Sequence, residues 1–265
     1  GSRLTKYFKN KKYGVYPIGF TNNQIRKCNL TKLKEFDILY NKIKPNIIIN
    51  LACLSDVDSC EYNLEKAINL NSLVLKNINK IIKDDNVKIV HISTDHLYNS
   101  SGKNKEDNII ITNNYSLSKY IGEKYILNKK FIILRTNFFG KSISSKQSFS
   151  DWILSNYKNN NIKLFEDVYF NPISISTLCQ IIGKVMKSNK YGIYNVGSSK
   201  VISKYQFGKL LIKLKGTKSK IKKTSIYRSN LVAKRPQFMG MNVNLFNKTF
   251  NFKDIDIKNE ILKEI

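Results

Sequence analysis

A tyrosine and a lysine four residues apart carry the clearest chemistry in this sequence. They are Tyr115 and Lys119, within the stretch Tyr115-Ser116-Leu117-Ser118-Lys119. On a helix, positions i and i+4 share one face, so the phenol and the ammonium would point into the same space. A lysine cation stabilises phenolate and lowers the pKa of tyrosine from its usual value near 10, which makes the phenol a proton donor at neutral pH. The pair alone is a weak signal, because the chain is rich in both residues and a solvated helix face is the alternative.

A hydroxyl group upstream strengthens this signal. Thr94 follows the predicted strand Val87–Ser93, and in a doubly wound sheet ligands bind at the carboxyl ends of the strands. Thr94, Tyr115 and Lys119 together would suit the reduction of a carbonyl group. Another predicted strand closes with the small residues Ala52 and Cys53, which leave room for a flat cofactor.

Strands and helices that alternate along the chain must position these residues. The predicted strands are Val15–Phe20, Asn46–Leu51, Val87–Ser93, Phe131–Thr136 and Gly192–Val196. The predicted helices are Leu4–Lys12, Leu30–Lys44, Glu61–Lys83, Tyr115–Leu127, Ser148–Lys158, Ser174–Lys187 and Lys204–Lys215. This alternation, with continuous apolar strands, predicts an α/β fold with a doubly wound parallel Rossmann-type sheet. A domain over 1–143, which also receives about 171–197, would be followed by a smaller lobe from 144–170 and 198–265.

Composition excludes several classes of protein. The 265 residues are 42% hydrophobic, enough for one large core or a main domain with a smaller partner. The sequence has no apolar run of about 18 residues and no secretory signal, so we expect a soluble, cytoplasmic protein without membrane contact. Four cysteines without a CxxC pair and two histidines give no zinc pattern, so we expect no metal.

The net charge of +27 suggests nucleic-acid binding, which we discount. Arginine contributes five of the 46 basic residues, whereas phosphate and base recognition favours arginine forks. The lysines are spread along the whole chain. An AT-rich codon bias explains the excess of lysine together with that of asparagine and isoleucine. Attraction to anionic small molecules such as nucleotides is the consequence that remains.

Several ordered motifs resemble those of the extended short-chain dehydrogenase/reductases, most of all the dTDP-4-dehydrorhamnose reductases and their sugar-nucleotide relatives. The matching stretches are 45–52, 57–61, His91-Ile92-Ser93-Thr94-Asp95, Tyr115–Lys119 with Gly122-Glu123, Leu134-Arg135-Thr136, Asn195-Val196-Gly197 and Lys234-Arg235-Pro236. The resemblance covers essentially the whole chain and implies NAD(P)H-dependent reduction of the 4-keto group of a nucleotide-sugar in surface-polysaccharide synthesis. It implies that Tyr115 donates the proton, that Lys119 also holds the nicotinamide ribose, and that Thr94 bonds the ketone oxygen.

The same resemblance suggests substrate contacts. His96, Asn171 and Arg235 are the candidates, with Arg235 suited to a diphosphate. Dehydratases of the family carry Asp-Glu after the threonine, whereas this chain has His96 in place of the glutamate, which favours reduction. An ordinary polar role for His96 and a surface ion pair for Arg235 are the alternatives. Trp152 is expected to pack in the core, with a sugar or base platform as its alternative.

The dinucleotide fingerprint departs from the family pattern. The first strand and the glycine-rich loop are missing, and Gly1 resembles the last glycine of that loop, a cloning remnant being the alternative. We therefore expect a fragment of a longer protein, or weak cofactor binding by this chain. Arg26 follows a stretch without a carboxylate, which favours NADP over NAD, although a plain surface role for Arg26 and the use of NAD stay open.

Other functions remain as rivals at this point. A non-catalytic regulatory subunit would keep the fold and the bound nucleotide without turnover. An epimerase or a dehydratase would use the same cofactor and yield a different product. The resemblance is compatible with either a monomer or a homodimer.

Overall fold

The computed structural model describes residues 1–19, 26–83, 86–126, 130–142, 147–158, 162–217 and 219–265. Its helices are α1 (Ser2–Asn10), α2 (Leu33–Ile43), α3 (Val57–Tyr62), α4 (Leu64–Ile68), α5 (Val74–Ile81), α6 (Asn114–Lys124), α7 (Phe149–Asn156), α8 (Ile175–Val185), α9 (Lys204–Leu214), α10 (Asn244–Phe250) and α11 (Ile257–Leu262). Its strands are β1 (Ile18–Gly19), β2 (Arg26–Lys27), β3 (Ile47–Asn50), β4 (Lys88–Thr94), β5 (Phe131–Thr136), β6 (Phe138–Phe139), β7 (Lys163–Phe165), β8 (Tyr169–Phe170), β9 (Ile173–Ser174), β10 (Gly192–Val196), β11 (Ile202–Ser203) and β12 (Lys222–Thr224). A π-helical segment (Asn69–Leu73) joins α4 to α5.

The chain divides into two compact units. Unit 1 comprises Gly1–Thr94, Asn113–Leu134 and Ile182–Ile193. Unit 2 comprises Asp95–Thr112, Arg135–Ile181 and Tyr194–Ile265. These limits differ from the predicted ones in that 95–112, 135–142, 171–181 and 194–197 belong to unit 2. The division of roles between a cofactor domain and a substrate lobe stays a prediction.

Parallel strands form the frame of unit 1. A four-stranded sheet has the order β10-β5-β4-β3, and β3 pairs with β4 in parallel with Ile48 opposite Ile89. β1 and β2 form a separate parallel pair, and among the described residues no strand links it to the larger sheet. The prediction of an α/β fold with a parallel central sheet is confirmed. Apolar side chains from the helices cover the strands, with a core that includes Val74, Leu75 and Ile133.

Aromatic side chains form the core of unit 2. Phe207 on α9 meets Phe139 edge to face at a centroid distance of 4.9 Å and meets Phe170 at 5.6 Å. Ile153 and Leu211 complete the same buried cluster. Burial of side chains of this size contributes about 1.5–3 kcal/mol each to folding, so this cluster supplies unit 2 with a core of its own.

The apolar runs predicted the bounds of the long strands closely. The helices differ more from their predicted bounds, because tertiary contacts divide or shorten them. The predicted helix Glu61–Lys83 is divided into the end of α3, α4, the π-helical segment and α5. Asn63 causes the first break, because its side chain caps α4 by accepting a hydrogen bond from the Lys66 N–H. Phe20–Ile25, Leu127 and the predicted boundary at 143 lie outside the described residues.

Two features of the described residues bear on membranes and metals. None of their helices combines the length and the apolar character that crossing a membrane requires. Within the same ranges, no three His, Cys, Asp or Glu side chains are grouped as a metal site requires. None of the four cysteines is joined in a disulfide.

Candidate active site

The helix that carries Tyr115 and Lys119 begins with a capping box. The Asn113 Oδ1 accepts a hydrogen bond from the Ser116 N–H at 2.8 Å, and the Ser116 hydroxyl accepts one from the Asn113 N–H at 3.3 Å. The Asn114 N–H donates to the Glu61 carboxylate at 3.0 Å. These bonds fix the first turn of α6, which holds Tyr115.

Close packing fixes the rest of α6. The Asn71 amide donates to the Ser118 hydroxyl at 2.9 Å, and the Ser72 hydroxyl donates to the Ser118 carbonyl at 2.6 Å. Asn71 also accepts a hydrogen bond from the Leu54 N–H at 2.7 Å. Asn71, a residue of the π-helical segment, therefore holds both α6 and the loop that follows β3. No sequence signal marks Asn71, because asparagine is common throughout this chain.

Gly122 allows α6 to lie close to the π-helical segment, because it has no side chain. Replacing Gly122 with alanine tests this packing. A Cβ at Gly122 would lie 2.4 Å from the Asn71 carbonyl oxygen and 2.9 Å from Leu75 Cδ1. A backbone oxygen cannot rotate away, so α6 would have to shift. We expect Gly122→Ala to lower the free energy of unfolding by about 1–3 kcal/mol, measured by urea denaturation. Gly14→Ala is the control, because its Cβ would meet its nearest neighbour at 4.0 Å; an equal loss in both variants would contradict the packing argument.

Lys119 lies in the interior of unit 1. Its side chain is 1% exposed, and its Nζ donates to the Ile92 carbonyl at 2.8 Å and lies 3.2 Å from His91 Nε2. Burial lowers the pKa of Lys119, while Cys53 and Glu123 oppose this by favouring the cation. The lysine is thus held at a defined position beside the end of β4.

The structure brings the predicted catalytic residues of unit 1 to one edge of the sheet. Tyr115 is 9% exposed and belongs to a small buried cluster with Cys60 and Ala67, against which Cys53 and Leu54 from the loop after β3 pack. Thr94 is the last residue of β4, two positions after the carbonyl group that Lys119 binds. A hydrogen bond of 2.5 Å from the Ser93 hydroxyl to Glu123 joins β4 to α6 at the same level. The arrangement can donate a proton and hold a carbonyl oxygen.

The predicted cofactor residues are all in unit 1, at different places. Ala52 and Cys53 are partly buried directly after β3, and Cys53 is near enough to Lys119 to influence its charge. Gly1 is the exposed N-cap residue of α1, and Arg26 is exposed on β2. Small side chains next to a buried amine fit a flat dinucleotide, with Lys119 and the loop after β3 as the residues that would hold it.

The predicted substrate residues lie in unit 2. His96 and Arg235 are partly buried. Burial, followed by the charges of Lys204 and Arg235, lowers the pKa of His96 to about 3. His96 is therefore a neutral imidazole at physiological pH, and the two cations lie near enough to act on it.

Asn171 has a structural role that the sequence interpretation did not foresee. It is fully buried, and its amide group donates to the carbonyl groups of Ser198 and Met241 at 2.8 and 3.0 Å. Its Oδ1 accepts from the Met241 N–H at 2.9 Å. Because these bonds use both amide hydrogens and the side chain is out of reach of solvent, we withdraw Asn171 as a substrate contact.

Lys204 belongs to the same group as His96 and Arg235, and the sequence did not single it out. It begins α9, and its Nζ lies 3.5 Å from the centroid of Phe170 and 4.7 Å from that of Phe149. Burial lowers its pKa to about 8, while Asp95 favours the cation. One lysine among 41 carries no sequence signal; only its position beside two aromatic rings sets it apart.

An α/β fold in which Thr94 ends the strand β4, and Tyr115 and Lys119 lie on the helix α6, is typical of the short-chain dehydrogenase/reductases. The model of the family described as "RmlD substrate binding domain" matches residues 1–264, so the chain belongs to that family. The predicted family resemblance is confirmed.

Known relatives agree with this membership. A dTDP-4-dehydrorhamnose reductase from Aggregatibacter actinomycetemcomitans is 31% identical over 212 residues, which cover 75% of this chain and 69% of that protein. The solved dTDP-4-dehydrorhamnose reductase of Bacillus anthracis, in complex with NADP, superposes with a TM-score of 0.90 at 22% identity, over 99% of this chain and 93% of that one. The Bordetella bronchiseptica enzyme WbmG, in complex with NAD and UDP, has a TM-score of 0.81 at 14% identity, over 100% and 89% of the two chains.

Proposed function

We propose that this chain reduces the 4-keto group of a nucleotide-activated deoxy sugar with NADPH, in the synthesis of a surface polysaccharide. The observation that carries the proposal is the cluster of Tyr115 and buried Lys119 beside Thr94 at the end of β4. The named reductase relatives support the reaction, and the relative solved with NADP supports NADP over NAD. NAD is the alternative cofactor, since WbmG was solved with it.

The residues of unit 1 would divide the chemistry as follows. NADPH supplies the hydride to C4 when it is bound. Tyr115 donates its phenolic proton to the ketone oxygen as negative charge develops there. The Thr94 hydroxyl donates a hydrogen bond to the same oxygen. Lys119, as the cation, stabilises the phenolate that Tyr115 becomes.

Unit 2 would supply contacts for the diphosphate. Lys204 and Arg235 are cations close to the neutral imidazole of His96. Charge-assisted hydrogen bonds from such groups to phosphate oxygens are about twice as strong as neutral ones. The nucleotide-sugar is the partner in this proposal, and nucleic acid is not. We place the reaction in the cytoplasm, with a homodimer as the state to be checked by sedimentation.

The pKa of Lys204 predicts how nucleotide binding depends on pH. Since its pKa is about 8, Lys204 loses its proton as the pH rises from 7 to 9.5, and one charged contact is lost. A hydrogen bond to a charged group is worth about 1.5–3 kcal/mol, so affinity for dTDP-glucose should fall about tenfold or more across that range. Calorimetry at each pH would measure the affinity. The diphosphate diester of the ligand keeps a constant charge over this range, so its phosphate groups do not cause the fall.

Variants on one helix isolate this effect. Lys204→Gln should bind dTDP-glucose weakly at every pH, and its affinity should no longer fall as the pH rises. Lys209→Gln, which changes an exposed lysine of α9, should retain the pH dependence of the affinity. If the affinity of Lys204→Gln still fell with pH as it does in the unaltered protein, Lys204 would not be part of the binding site.

The reaction itself is tested by NADPH consumption with a dTDP-4-keto-6-deoxy sugar. We expect turnover that requires both compounds and gives the 4-hydroxy product. Nucleotide binding without turnover would instead indicate a non-catalytic subunit of the same fold.

A further inference from the structure

One long stretch of the chain, most of it in unit 2, has an uneven distribution of charge. Residues 168–253 contain no Asp or Glu, although 19 occur elsewhere in the chain, and they include 17 Lys and Arg. An AT-rich codon bias adds lysine, but it does not remove the two acids, because their codons are also largely A and T. The absence of carboxylates from this stretch therefore requires a reason other than composition.

Exposed lysines gather where α9 packs against β7 and β12. A Cβ at Gly208 of α9 would lie 3.6 Å from Ile221 Cδ1, so the helix is in close contact with the residue that precedes β12. Lys222, the first residue of β12, lies opposite Lys163, the first residue of β7. Six exposed lysines lie at the ends of α9, β7 and β12 and on the segments that lead into the two strands, and we call them the basic end of unit 2. They are Lys158, Lys163, Lys213, Lys215, Lys220 and Lys222.

Carboxylates are absent from the segments that form the basic end. Residues 157–165 and 212–224 contain no Asp or Glu. Lys223 is not part of the basic end, because its Nζ lies 2.8 Å from Oε2 of Glu166, beyond the last residue of β7. Like charges that lie opposite each other in a sheet, as the first lysines of β7 and β12 do, are destabilising. An anionic surface facing these lysines would remove that repulsion.

The type of residue indicates which anionic partner fits. All six positions are lysine, although the chain also contains five arginines. An ammonium group is a hydrated point charge on a flexible stem, whereas guanidinium forks match defined phosphates and base edges. In the loop between Lys215 and Lys220, Gly216 has a φ of +72°, and a Cβ there would meet nothing within 4 Å. Lysines around an open loop suit a diffuse negative surface better than a single bound anion.

We propose that the basic end of unit 2 attaches the protein to the surface of a membrane rich in anionic phospholipid. Each lysine near such a surface raises the affinity about fivefold, and the attraction falls off within a Debye length. We expected no membrane contact because the chain has no apolar run that could span a bilayer, but attachment through surface charge needs no such run. Lys204 and Arg235, the cations proposed for the diphosphate, lie outside the basic end, so this inference does not depend on the proposed function.

Co-sedimentation with lipid vesicles tests the attachment. The unaltered protein should bind vesicles of equal parts phosphatidylglycerol and phosphatidylcholine at about 0.1 M salt and dissociate at about 1 M, where the Debye length is about 3 Å. A variant that combines Lys213→Gln, Lys215→Gln, Lys220→Gln and Lys222→Gln should bind these vesicles about 100-fold more weakly, or less still. Equal binding of the unaltered protein to vesicles of phosphatidylcholine alone would overturn the proposal.

A second variant separates the basic end from the charge of the whole chain. It combines Lys34→Gln, Lys42→Gln, Lys66→Gln and Lys80→Gln, four exposed lysines on helices of unit 1, and so removes the same charge. Its affinity for the anionic vesicles should fall by at most about fivefold. Equal losses in the two variants would mean that net charge alone attracts the vesicles, and that result would overturn the proposal.

Acetylation of lysine in the unaltered protein maps the contact without any variant. Anionic vesicles should slow the acetylation of Lys213 and Lys222, and should leave Lys34 as reactive as it is in the free protein, measured by peptide mass spectrometry. Equal protection of all three lysines, or protection of none, would contradict the proposal. If duplex DNA or RNA bound the same lysines more tightly than the vesicles do, the surface would be a nucleic-acid site and the proposal would be wrong.

Discussion

Replacing Tyr115 by phenylalanine is expected to lower kcat for NADPH-dependent reduction by about 10²- to 10⁴-fold, the range for loss of a general acid. Only the hydroxyl is removed, and the ring keeps its place in the buried cluster with Cys60 and Ala67. Binding of NADPH and the thermal midpoint should therefore change little. Stopped-flow absorbance measures the hydride step, and equilibrium fluorescence measures cofactor binding.

Tyr120→Phe is the matched control for that prediction. Tyr120 lies on α6 as well, where the Lys124 ammonium is 4.6 Å from the centre of its ring. Removing its hydroxyl should leave kcat within about twofold, since surface changes of this kind cost at most about 0.5 kcal/mol. Similar losses in the two variants would mean that the effect of Tyr115→Phe comes from the helix and not from a proton donor.

The largest expected effect on stability is that of Glu260→Leu in unit 2. Glu260 is 1% exposed, and its carboxylate accepts hydrogen bonds from the Ser174 N–H, the Ser174 hydroxyl and the Thr177 hydroxyl at 2.7–2.9 Å. The Lys263 ammonium donates to it at 2.5 Å. Leaving the buried donors of Ser174 and Thr177 without an acceptor costs about 1–3 kcal/mol each, so we expect a loss of several kcal/mol. Lys263, whose side chain is 40% exposed, can turn to solvent and adds little to that loss.

Urea denaturation followed by tryptophan fluorescence measures this loss. Trp152, the sole tryptophan of the sequence, lies on α7 in unit 2 and reports on that unit. Glu65→Leu is the control, because Glu65 is exposed on α4 in unit 1. A loss below about 1 kcal/mol in Glu260→Leu would show that the network contributes little to folding.

The strands could be predicted because their signal is local. The strands Ile47–Asn50, Lys88–Thr94 and Phe131–Thr136 each contain a short apolar run, and burial on both faces of a sheet produces such runs. The positions of Thr94, Tyr115 and Lys119 followed from this frame, because a strand end and a helix face place them; their catalytic roles stay a prediction.

Tertiary contacts determine what the sequence did not reveal. The π-helical segment exists where Asn71 and Ser72 bond to α6, and no local pattern specifies such a partner. Lys204 gains its properties from two distant phenylalanine rings. Trp152 was expected in the core and is 39% exposed, so that expectation was wrong. Hydrophobicity alone does not say which large side chains the fold covers.

Transfer of deuterium from labelled NADPH tests the central claim most directly. The protein would be incubated with NADPH deuterated at the transferred position of C4 and a dTDP-4-keto-6-deoxy sugar, and the product analysed by mass spectrometry. The account predicts a 4-hydroxy sugar nucleotide with deuterium at C4 of the sugar, formed by the unaltered protein and lost in Tyr115→Phe. Recovery of the unreduced sugar nucleotide, while NADPH and dTDP-glucose still bind, would contradict it.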